Sequence, residues 1–180
     1  KLEAENFYRW NLSLYRSDAG LHESTPWYAT NYDDNNWQTV NMFSQSWGNN
    51  GLNPIGGSHW LRQDIEIPQS WNGKEATLRL GCIVDADSVY VNGVFVGTTS
   101  YQYPPRIYRI PAGILKSEKN NITVRIISNG GQPGFVQEKP YKIICDNEEI
   151  NLKQKWKYRL GAPMPPAPEM MFFWYKPVCL

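Results

Sequence analysis

Short runs that alternate apolar and polar residues make up most of this chain, and such runs are typical of half-buried β-strands. The runs that begin at Trp60, Ala76 and Asn121 are clear examples. Clusters of Gly, Pro, Asn and Asp separate them at intervals of roughly ten residues. The pattern predicts an all-β sandwich rather than a series of βαβ units.

The strongest local signal is a β-hairpin centred on Asn92 and Gly93. Two runs rich in β-branched and aromatic residues, 88–91 and 94–96, flank this pair. A two-residue type I′ turn needs positive φ at both central positions, and Asn followed by Gly supplies that most readily. The sequence therefore predicts two adjacent antiparallel strands joined at this turn.

The first sixteen residues form the one helical pattern, with Leu2, Phe7, Trp10 and Leu14 near helical spacing. Gly20 is expected to end the helix as a left-handed cap. An amphipathic helix of this kind needs a surface to cover. We expect it to pack either on the sandwich or on a neighbouring domain.

A Pro-rich stretch, 161–168, follows the last alternating run. Because proline cannot donate to a β-ladder, this stretch is predicted to be an extended, unpaired linker. The apolar run 169–175 after it is expected to pack on a further domain. The chain thus divides into an N-terminal helix (1–20), a sandwich (21–160), and a linker with an apolar tail (161–180).

Composition narrows the function without identifying it. The 180 residues carry a formal net charge of +1, which argues against a nucleic-acid partner. No run approaches the roughly 20 apolar residues that span a membrane. The wide spacing and odd number of Cys82, Cys145 and Cys179 predict buried thiols, not a disulfide framework or a zinc site.

Candidate chemistry is sparse, and we predict no catalytic residue, no metal and no cofactor. Ser58 and His59 are adjacent but lack the spacing of a nucleophile elbow. Asp85 and Asp87 allow a carboxylate pair of raised pKa or a calcium ligand set. Capping of the turn before Ser88 by local hydrogen bonds is favoured over both. The Asp33–Asn36 stretch is predicted to be a turn.

Aromatic residues make up 14% of the chain, and sugars pack their C–H faces on such side chains. Trp47, Tyr101 and Tyr103 lie in predicted loops, whereas Trp37, Trp60 and Tyr108 are expected to fill the core. The candidates for contact with carbohydrate are Trp47, His59, Tyr101, Tyr103 and Arg106.

The order of motifs resembles the sugar-binding jelly roll of family-two glycoside hydrolases. An acidic pair before Trp37 and a Gly-rich segment leading into Trp60 resemble its opening, and 85–93 resembles its signature hairpin. An Arg-x-Tyr strand and an Asn-x-Ile strand follow in the family order. Glu118 departs from the family, which usually has Gly there. The resemblance marks as structural the residues Trp37, Trp60, Arg62, Asp85, Asp87, Asn92, Gly93 and Tyr108.

The flanking segments are similar more narrowly to those around the insertion domain of sialate O-acetylesterases. These segments are the Trp10 helix with Asp18-Ala19-Gly20, the strand 156–161, and the return after the Pro-rich stretch at 176–180. The resemblance implies a galactose-binding-domain-like jelly roll without an active site. Its partner would be the catalytic hydrolase domain of the same polypeptide, with a sugar as a second possible ligand.

That family resemblance also implies a compartment and leaves two alternatives. The compartment would be periplasmic or secreted in a bacterium, and lysosomal or secreted in a eukaryote. One alternative is the sugar-binding domain of a family-two glycoside hydrolase. The other is a structural, adhesin-like sandwich with no enzymatic parent.

Overall fold

A computed structural model describes residues 2–168 of the chain. Within this range are two α-helices, α1 (Leu2–Ser17) and α2 (Ala19–His22), and two short 3₁₀ helices, Gly48–Asn50 and Gln69–Trp71. The strands are β1 (Gln38–Val40), β2 (Gly56–Ile65), β3 (Ala76–Leu80), β4 (Ile83–Val84), β5 (Ala86–Val91), β6 (Val94–Thr99), β7 (Ile107–Ile110), β8 (Asn120–Ser128), β9 (Gly134–Phe135), β10 (Tyr141–Cys145), β11 (Glu148–Asn151) and β12 (Trp156–Met164).

The strands form an antiparallel jelly-roll sandwich, which confirms the predicted fold class. The large sheet has the order β1-β12-β2-β8-β5-β6, and the small sheet has the order β11-β10-β3-β7. Strands β4 and β9 make a separate pair. Strands that neighbour each other in space are mostly distant in sequence, so the fold depends on long-range pairing.

The core lies between the two sheets. Alternate residues of β8, namely Ile122, Val124 and Ile126, point inward and have no solvent exposure. Leu78 and Ile143 meet them from the small sheet and are equally buried. Burial of each such side chain stabilises the fold by about 1.5–3 kcal/mol. The period-two pattern of the sequence therefore marks this core correctly.

The predicted hairpin is confirmed. Asn92 has φ 48° and Gly93 has φ 78°, as a type I′ turn requires. The Asn92 side chain also donates to the Ile114 carbonyl and to Asn120 Oδ1, at 2.8 Å each. The Asn120 side chain donates to the Glu118 carbonyl oxygen. The turn at Glu118 is therefore held by this side chain.

The N-terminal segment forms a third layer on the outer face of the large sheet. The helix predicted for this segment is confirmed as α1, and it packs on the sandwich itself. Trp10 and Leu14 are buried against Ala86, Ile127 and Ala162. The outer face of the large sheet is thereby shielded from water by its own chain.

The prediction of a left-handed cap at Gly20 is wrong. Gly20 lies inside α2, and its amide donates to Asp18 Oδ1 at 3.0 Å. A Cβ added at Gly20 would lie 2.3 Å from Cε2 of the Trp60 ring. Glycine is needed here for close packing and not for backbone conformation.

The prediction of an unpaired linker from residue 161 is wrong as far as Met164. Strand β12 continues past an irregularity between Leu160 and Ala162, and Pro163 stands opposite Gly57 of β2. Pairing between β1 and β12 ends at Tyr158, so Pro163 has a partner strand on one side only, where proline is tolerated. The predicted apolar tail 169–175 and the return segment lie outside the described residues.

Candidate functional site

Arg106 forms a buried clamp between β5 and the loop before β7. Its Nε donates to Asp87 Oδ1 at 2.6 Å, and both groups are fully buried. The terminal nitrogens donate at 2.8–3.2 Å to four carbonyl oxygens, those of Ile83, Asp85, Gln102 and Pro104. All five N–H donors of the guanidinium are therefore satisfied. This corrects the expectation that Arg106 contacts a sugar, because all of its donors are already used within the chain.

Asp87 joins the two sheets of the sandwich through Tyr108. Its Oδ2 accepts from the Tyr108 hydroxyl at 2.5 Å, and that hydroxyl also lies 2.7 Å from Thr99 Oγ1. Burial raises the pKa of the Asp87 carboxyl, although Arg106 and Tyr108 favour its charged form. Burial and the Asp87 charge together raise the pKa of Tyr108. Because the Asp87 carboxylate is fully buried, the cluster is a structural connection between the sheets.

The preference for local capping by Asp85 and Asp87 is corrected by these contacts. Asp87 bonds to side chains 19 and 21 positions away. Asp85 accepts from the backbone amide of Asn129, 44 positions away, at 3.0 Å. Burial raises the pKa of Asp85. The two carboxylates lie in different environments and do not form a shared pair.

A second buried ion pair connects α2 to the large sheet. Asp18 has no exposure, and its Oδ2 accepts from Arg125 Nε at 2.7 Å. Its Oδ1 accepts from Trp60 Nε1 at 2.9 Å. The Trp60 ring meets Trp27 at 5.8 Å between centroids, and Trp27 meets Trp37 at 5.0 Å. Trp37 and Trp60 are thus buried in the outer layer, not in the core between the sheets.

Asp34 connects the following loop to the same face. Its Oδ2 accepts from Arg62 Nε at 2.7 Å, and its Oδ1 accepts from Lys157 Nζ at 2.5 Å. Burial acts to raise the pKa of Asp34, but the bonds and charges of Lys157 and Arg62 outweigh burial and lower it. The turn predicted for this stretch is confirmed, since Asp33 Oδ1 accepts from the Asn35 amide. The pairing of Asp34 with Arg62 and Lys157 was not foreseen.

Ser58 and His59 cannot act as a nucleophile and its base. They are successive residues of β2, so their side chains lie on opposite faces of the sheet. The His59 Nδ1 lies 2.8 Å from the Tyr158 hydroxyl, and its Nε2 lies 2.9 Å from the Ile55 carbonyl oxygen. Burial lowers the pKa of His59 despite the opposing effects of Ile55 and Asp18.

The expectation of sugar contact at His59 and Trp47 is also corrected. The His59 side chain has no exposure, and Trp47 packs edge-on against it at 5.3 Å between ring centroids. Trp47 does lie in a loop, as predicted, but its ring turns inward and is 7% exposed. Neither ring offers a face to a ligand.

Tyr101 and Tyr103 lie in the loop between β6 and β7, where Tyr103 is 75% exposed. Their rings meet edge-on at 6.2 Å. A cavity of about 290 Å³, which we call the Tyr103 pocket, opens beside this loop. It is lined by Arg79, Gly81, Cys82, Tyr103, Pro105, Arg106, Lys139 and Pro140. Arg79 and Lys139 were not among the candidates from sequence.

A smaller cavity of about 150 Å³ lies near the Asn92 turn and is lined by polar residues, among them Asp34, Arg62, Asp64 and Lys119. Four of its five charged side chains are paired with each other, and the fifth is Lys116. Asp34 bonds to Arg62, and Asp64 lies 2.8 Å from Lys119 Nζ. The two carboxylates of this cavity, Asp34 and Asp64, make it less favourable to an anion than the Tyr103 pocket, which has no carboxylate in its lining.

The prediction of buried thiols is confirmed for Cys82 and Cys145, which are both buried and free, while Cys179 lies outside the described residues. No group of three or more His, Cys, Asp or Glu side chains in residues 2–168 is arranged to hold a metal ion. None of the helices in that range combines the length and apolar character that a membrane crossing requires.

Comparison with known proteins identifies related folds only. No protein-family model matches the chain, and no curated protein sequence matches it. Among solved structures, β-glucuronidase 2 of Bacteroides uniformis matches with a TM-score of 0.51 and 18% identity, over 76% of this chain and 16% of that one.

Two further matches are weaker. The Ruminococcus gnavus β-glucuronidase has a TM-score of 0.40 and 18% identity, over 67% of this chain and 22% of that one. The Faecalibacterium prausnitzii enzyme has a TM-score of 0.40 and 21% identity, over 48% and 14%. The chain therefore spans under a quarter of each of these proteins. The Bacteroides uniformis match shows a shared β-sandwich fold.

Proposed function

We propose that this chain is a non-catalytic sandwich domain of a larger carbohydrate-active enzyme, of the kind that family-two glycoside hydrolases carry beside their catalytic domain. The observation that carries the proposal is the fold match to one part, 16%, of a β-glucuronidase chain. The motif resemblance to the sugar-binding jelly roll of that hydrolase family points independently in the same direction.

The positions of the motif residues support a scaffolding role. Asp87 and Tyr108 connect the two sheets, and Arg62 ties the N-terminal layer to the large sheet. Trp60 is buried beneath Asp18 and Gly20. The side chains that carry the resemblance are thus engaged in holding the fold. A domain built in this way supplies a rigid platform for a catalytic neighbour.

A sialate O-acetylesterase is the second candidate for the parent enzyme. The segment that favours it, Asp18-Ala19-Gly20, is built into the sandwich through Arg125 and Trp60. The N-terminal helix therefore belongs to the same compact unit as the sandwich, as it would in an insertion domain. The flanking segments favour the esterase, but the Bacteroides uniformis fold match is to a β-glucuronidase, so we place the glycoside hydrolase first.

Activity of the purified chain tests whether it is catalytic. We expect an aryl β-glucuronide and an aryl acetate to be hydrolysed no faster than in buffer alone. Saturable hydrolysis that is lost in Ser58→Ala or Asp34→Asn would contradict the proposal. A variant at an exposed position remote from these residues, such as Tyr8→Ala, controls for contaminating enzymes, because contamination is indifferent to all three substitutions.

The coding sequence on either side of this chain tests the parent. A (β/α)₈ barrel after the sandwich supports the glycoside hydrolase. A Gly-Asp-Ser nucleophile segment before it supports the esterase. A reading frame that contains neither hydrolase would contradict both candidates and leave the structural, adhesin-like sandwich.

A further inference from the structure

We infer that the Tyr103 pocket binds a sugar that carries a carboxylate. The inference deepens the proposed function and rests on it, because it assigns a ligand class to a domain of a carbohydrate-active enzyme. The charges that line the pocket, the exposed ring at its rim and the groups that hold that ring in place support it.

Two positive charges of the pocket have no partner within residues 2–168. Arg79 lies on the outer face of β3, and Lys139 lies in the turn before β10. Neither side chain has a hydrogen bond or ion pair to the described part of the chain. Their neighbours on the small sheet differ, because Arg109 is paired with Glu75 and Lys142 with Glu149.

Two unpartnered positive charges on one cavity that has no carboxylate in its lining favour an anionic ligand. Arg79 is half-buried and lines the cavity, and its guanidinium has no carboxylate partner in residues 2–168. An Arg fork matches the two oxygens of a carboxylate, and such charge-assisted bonds are stronger than neutral ones. Lys139 adds a second charge on the same cavity. A neutral sugar would gain no ion pair from either side chain.

Tyr103 supplies the second half of the recognition. Its ring is 75% exposed at the rim of the cavity, and an exposed aromatic face can pack on the apolar C–H face of a pyranose. Arg79 would attract the carboxylate of the ligand, and Tyr103 would pack on its pyranose ring. Small-ligand sites commonly combine an aromatic wall with a few polar groups in this way.

The loop that carries Tyr103 is fixed before any ligand arrives. The buried Arg106 guanidinium donates to the carbonyl oxygens of Gln102 and Pro104, on either side of Tyr103. Cys82 Sγ donates to the carbonyl oxygen of Tyr103 itself, at 3.4 Å. Because the loop is held at three successive carbonyls, binding orders little new chain and loses less entropy.

The size of the pocket limits the ligand to about one sugar ring. Its volume of about 290 Å³ is near the lower end of ligand pockets, about 300 Å³. Gly81 helps to shape it, since a Cβ there would lie 2.7 Å from the Lys139 Cβ. Glycine thus lets the turn with Lys139 approach the end of β3. We expect recognition of a terminal residue of a glycan.

Titration of the 180-residue chain, followed by amide NMR shifts, tests the inference. The probes are glucuronate and N-acetylneuraminate, which carry carboxylates, with glucose and acetate as neutral-sugar and carboxylate-only controls. We expect one or both acidic sugars to bind with a millimolar Kd, about tenfold tighter than glucose or acetate. Which acidic sugar binds tighter distinguishes the two sources of the carboxylate.

Matched variants locate the binding. We expect Arg79→Gln and Tyr103→Ala each to weaken binding by about tenfold. Arg109→Gln removes the same charge from the neighbouring strand, and Tyr8→Ala removes an exposed tyrosine from α1. Both controls should bind as the unsubstituted chain does. The amide shifts should centre on the loop 101–105 and the end of β3.

Several results would overturn the inference. Equal binding of glucose and glucuronate would show that the carboxylate is not recognised. If Arg109→Gln weakened binding as much as Arg79→Gln, the binding would reflect general charge attraction and not the Tyr103 pocket. No measurable binding of either acidic sugar would refute it outright. These failures leave the proposed function intact, because that proposal is tested separately by hydrolysis and by the flanking coding sequence.

Discussion

Replacing Arg106 with methionine tests whether the buried clamp stabilises the fold. Methionine fills a similar volume, so the main effect is the loss of five hydrogen bonds and of the charge that compensates Asp87. Removing one partner of a buried ion pair typically costs about 3–5 kcal/mol, since the other charge stays buried and unpaired. A domain of this size has about 5–15 kcal/mol of stability in total.

Arg109 provides a control three residues away in the same strand region. Its side chain is 72% exposed, and its pair with Glu75 lies in solvent. Exposed ion pairs of this kind contribute about 0–1 kcal/mol. Arg109→Met should therefore change the free energy of unfolding by no more than about 1 kcal/mol. The two substitutions remove the same residue type and differ in burial.

Urea unfolding followed by tryptophan fluorescence measures the difference. With an m-value of about 2 kcal/mol/M, a loss of 3 kcal/mol lowers the urea midpoint by about 1.5 M. If Arg106→Met does not fold, the pair Asp87→Asn and Asp87→Asn/Arg106→Met replaces it. Adding Arg106→Met to Asp87→Asn should then cost less than the loss of about 3–5 kcal/mol expected for an unpaired buried charge, because neither charge is left alone. Equal midpoints for Arg106→Met and Arg109→Met would refute the clamp.

Three further predictions use the same unfolding assay or NMR. Gly20→Ala should destabilise the fold by about 1–3 kcal/mol through overlap with Trp60. At Gly48 no atom lies within 4 Å of an added Cβ, so Gly48→Ala should change the free energy of unfolding by no more than about 0.5 kcal/mol. Equal effects of the two substitutions would contradict the packing role of Gly20. Because the folded pKa of Asp34 lies below its ordinary 3.8, its contribution is present above that value and is lost as the pH falls through the lower folded pKa. The unsubstituted chain should therefore lose more stability than Asp34→Asn between about pH 6 and about pH 3, and parallel losses would argue against the pairing. Burial keeps His59 neutral, so its ring resonances should show a midpoint below the ordinary 6.5, and a midpoint above that value would contradict its burial.

Local signals were enough to predict the parts of the fold that depend on local physics. The Asn92–Gly93 turn follows from the backbone preferences of two residues, and the strands follow from side-chain alternation. Helix α1 was visible from helical spacing alone. The Gly20 prediction failed because the same preference was applied where a tertiary contact with Trp60 decides the residue instead.

The site was harder to predict because its members are distant in sequence. Arg79 and Lys139 line one cavity only because β3 pairs with β10, where Leu80 stands opposite Tyr141. The residues near Arg79 and Lys139 in the sequence do not indicate how β3 and β10 pair. The sequence predicts sugar contact for Arg106, and this fails because a motif does not distinguish an arginine that binds a ligand from one whose five donors are all used internally.

The contact between α1 and the stretch after β12 has a topological consequence. Trp10 Nε1 donates to the Pro165 carbonyl oxygen at 2.8 Å, across 155 positions of sequence. The amide of Ala167 bonds to the Asn129 carbonyl oxygen close by. Residues 10 and 165 therefore lie next to each other in space, although most of the chain lies between them in sequence. A segment whose two ends are adjacent can be inserted into a surface turn of another protein without separating the two strands that the turn connects.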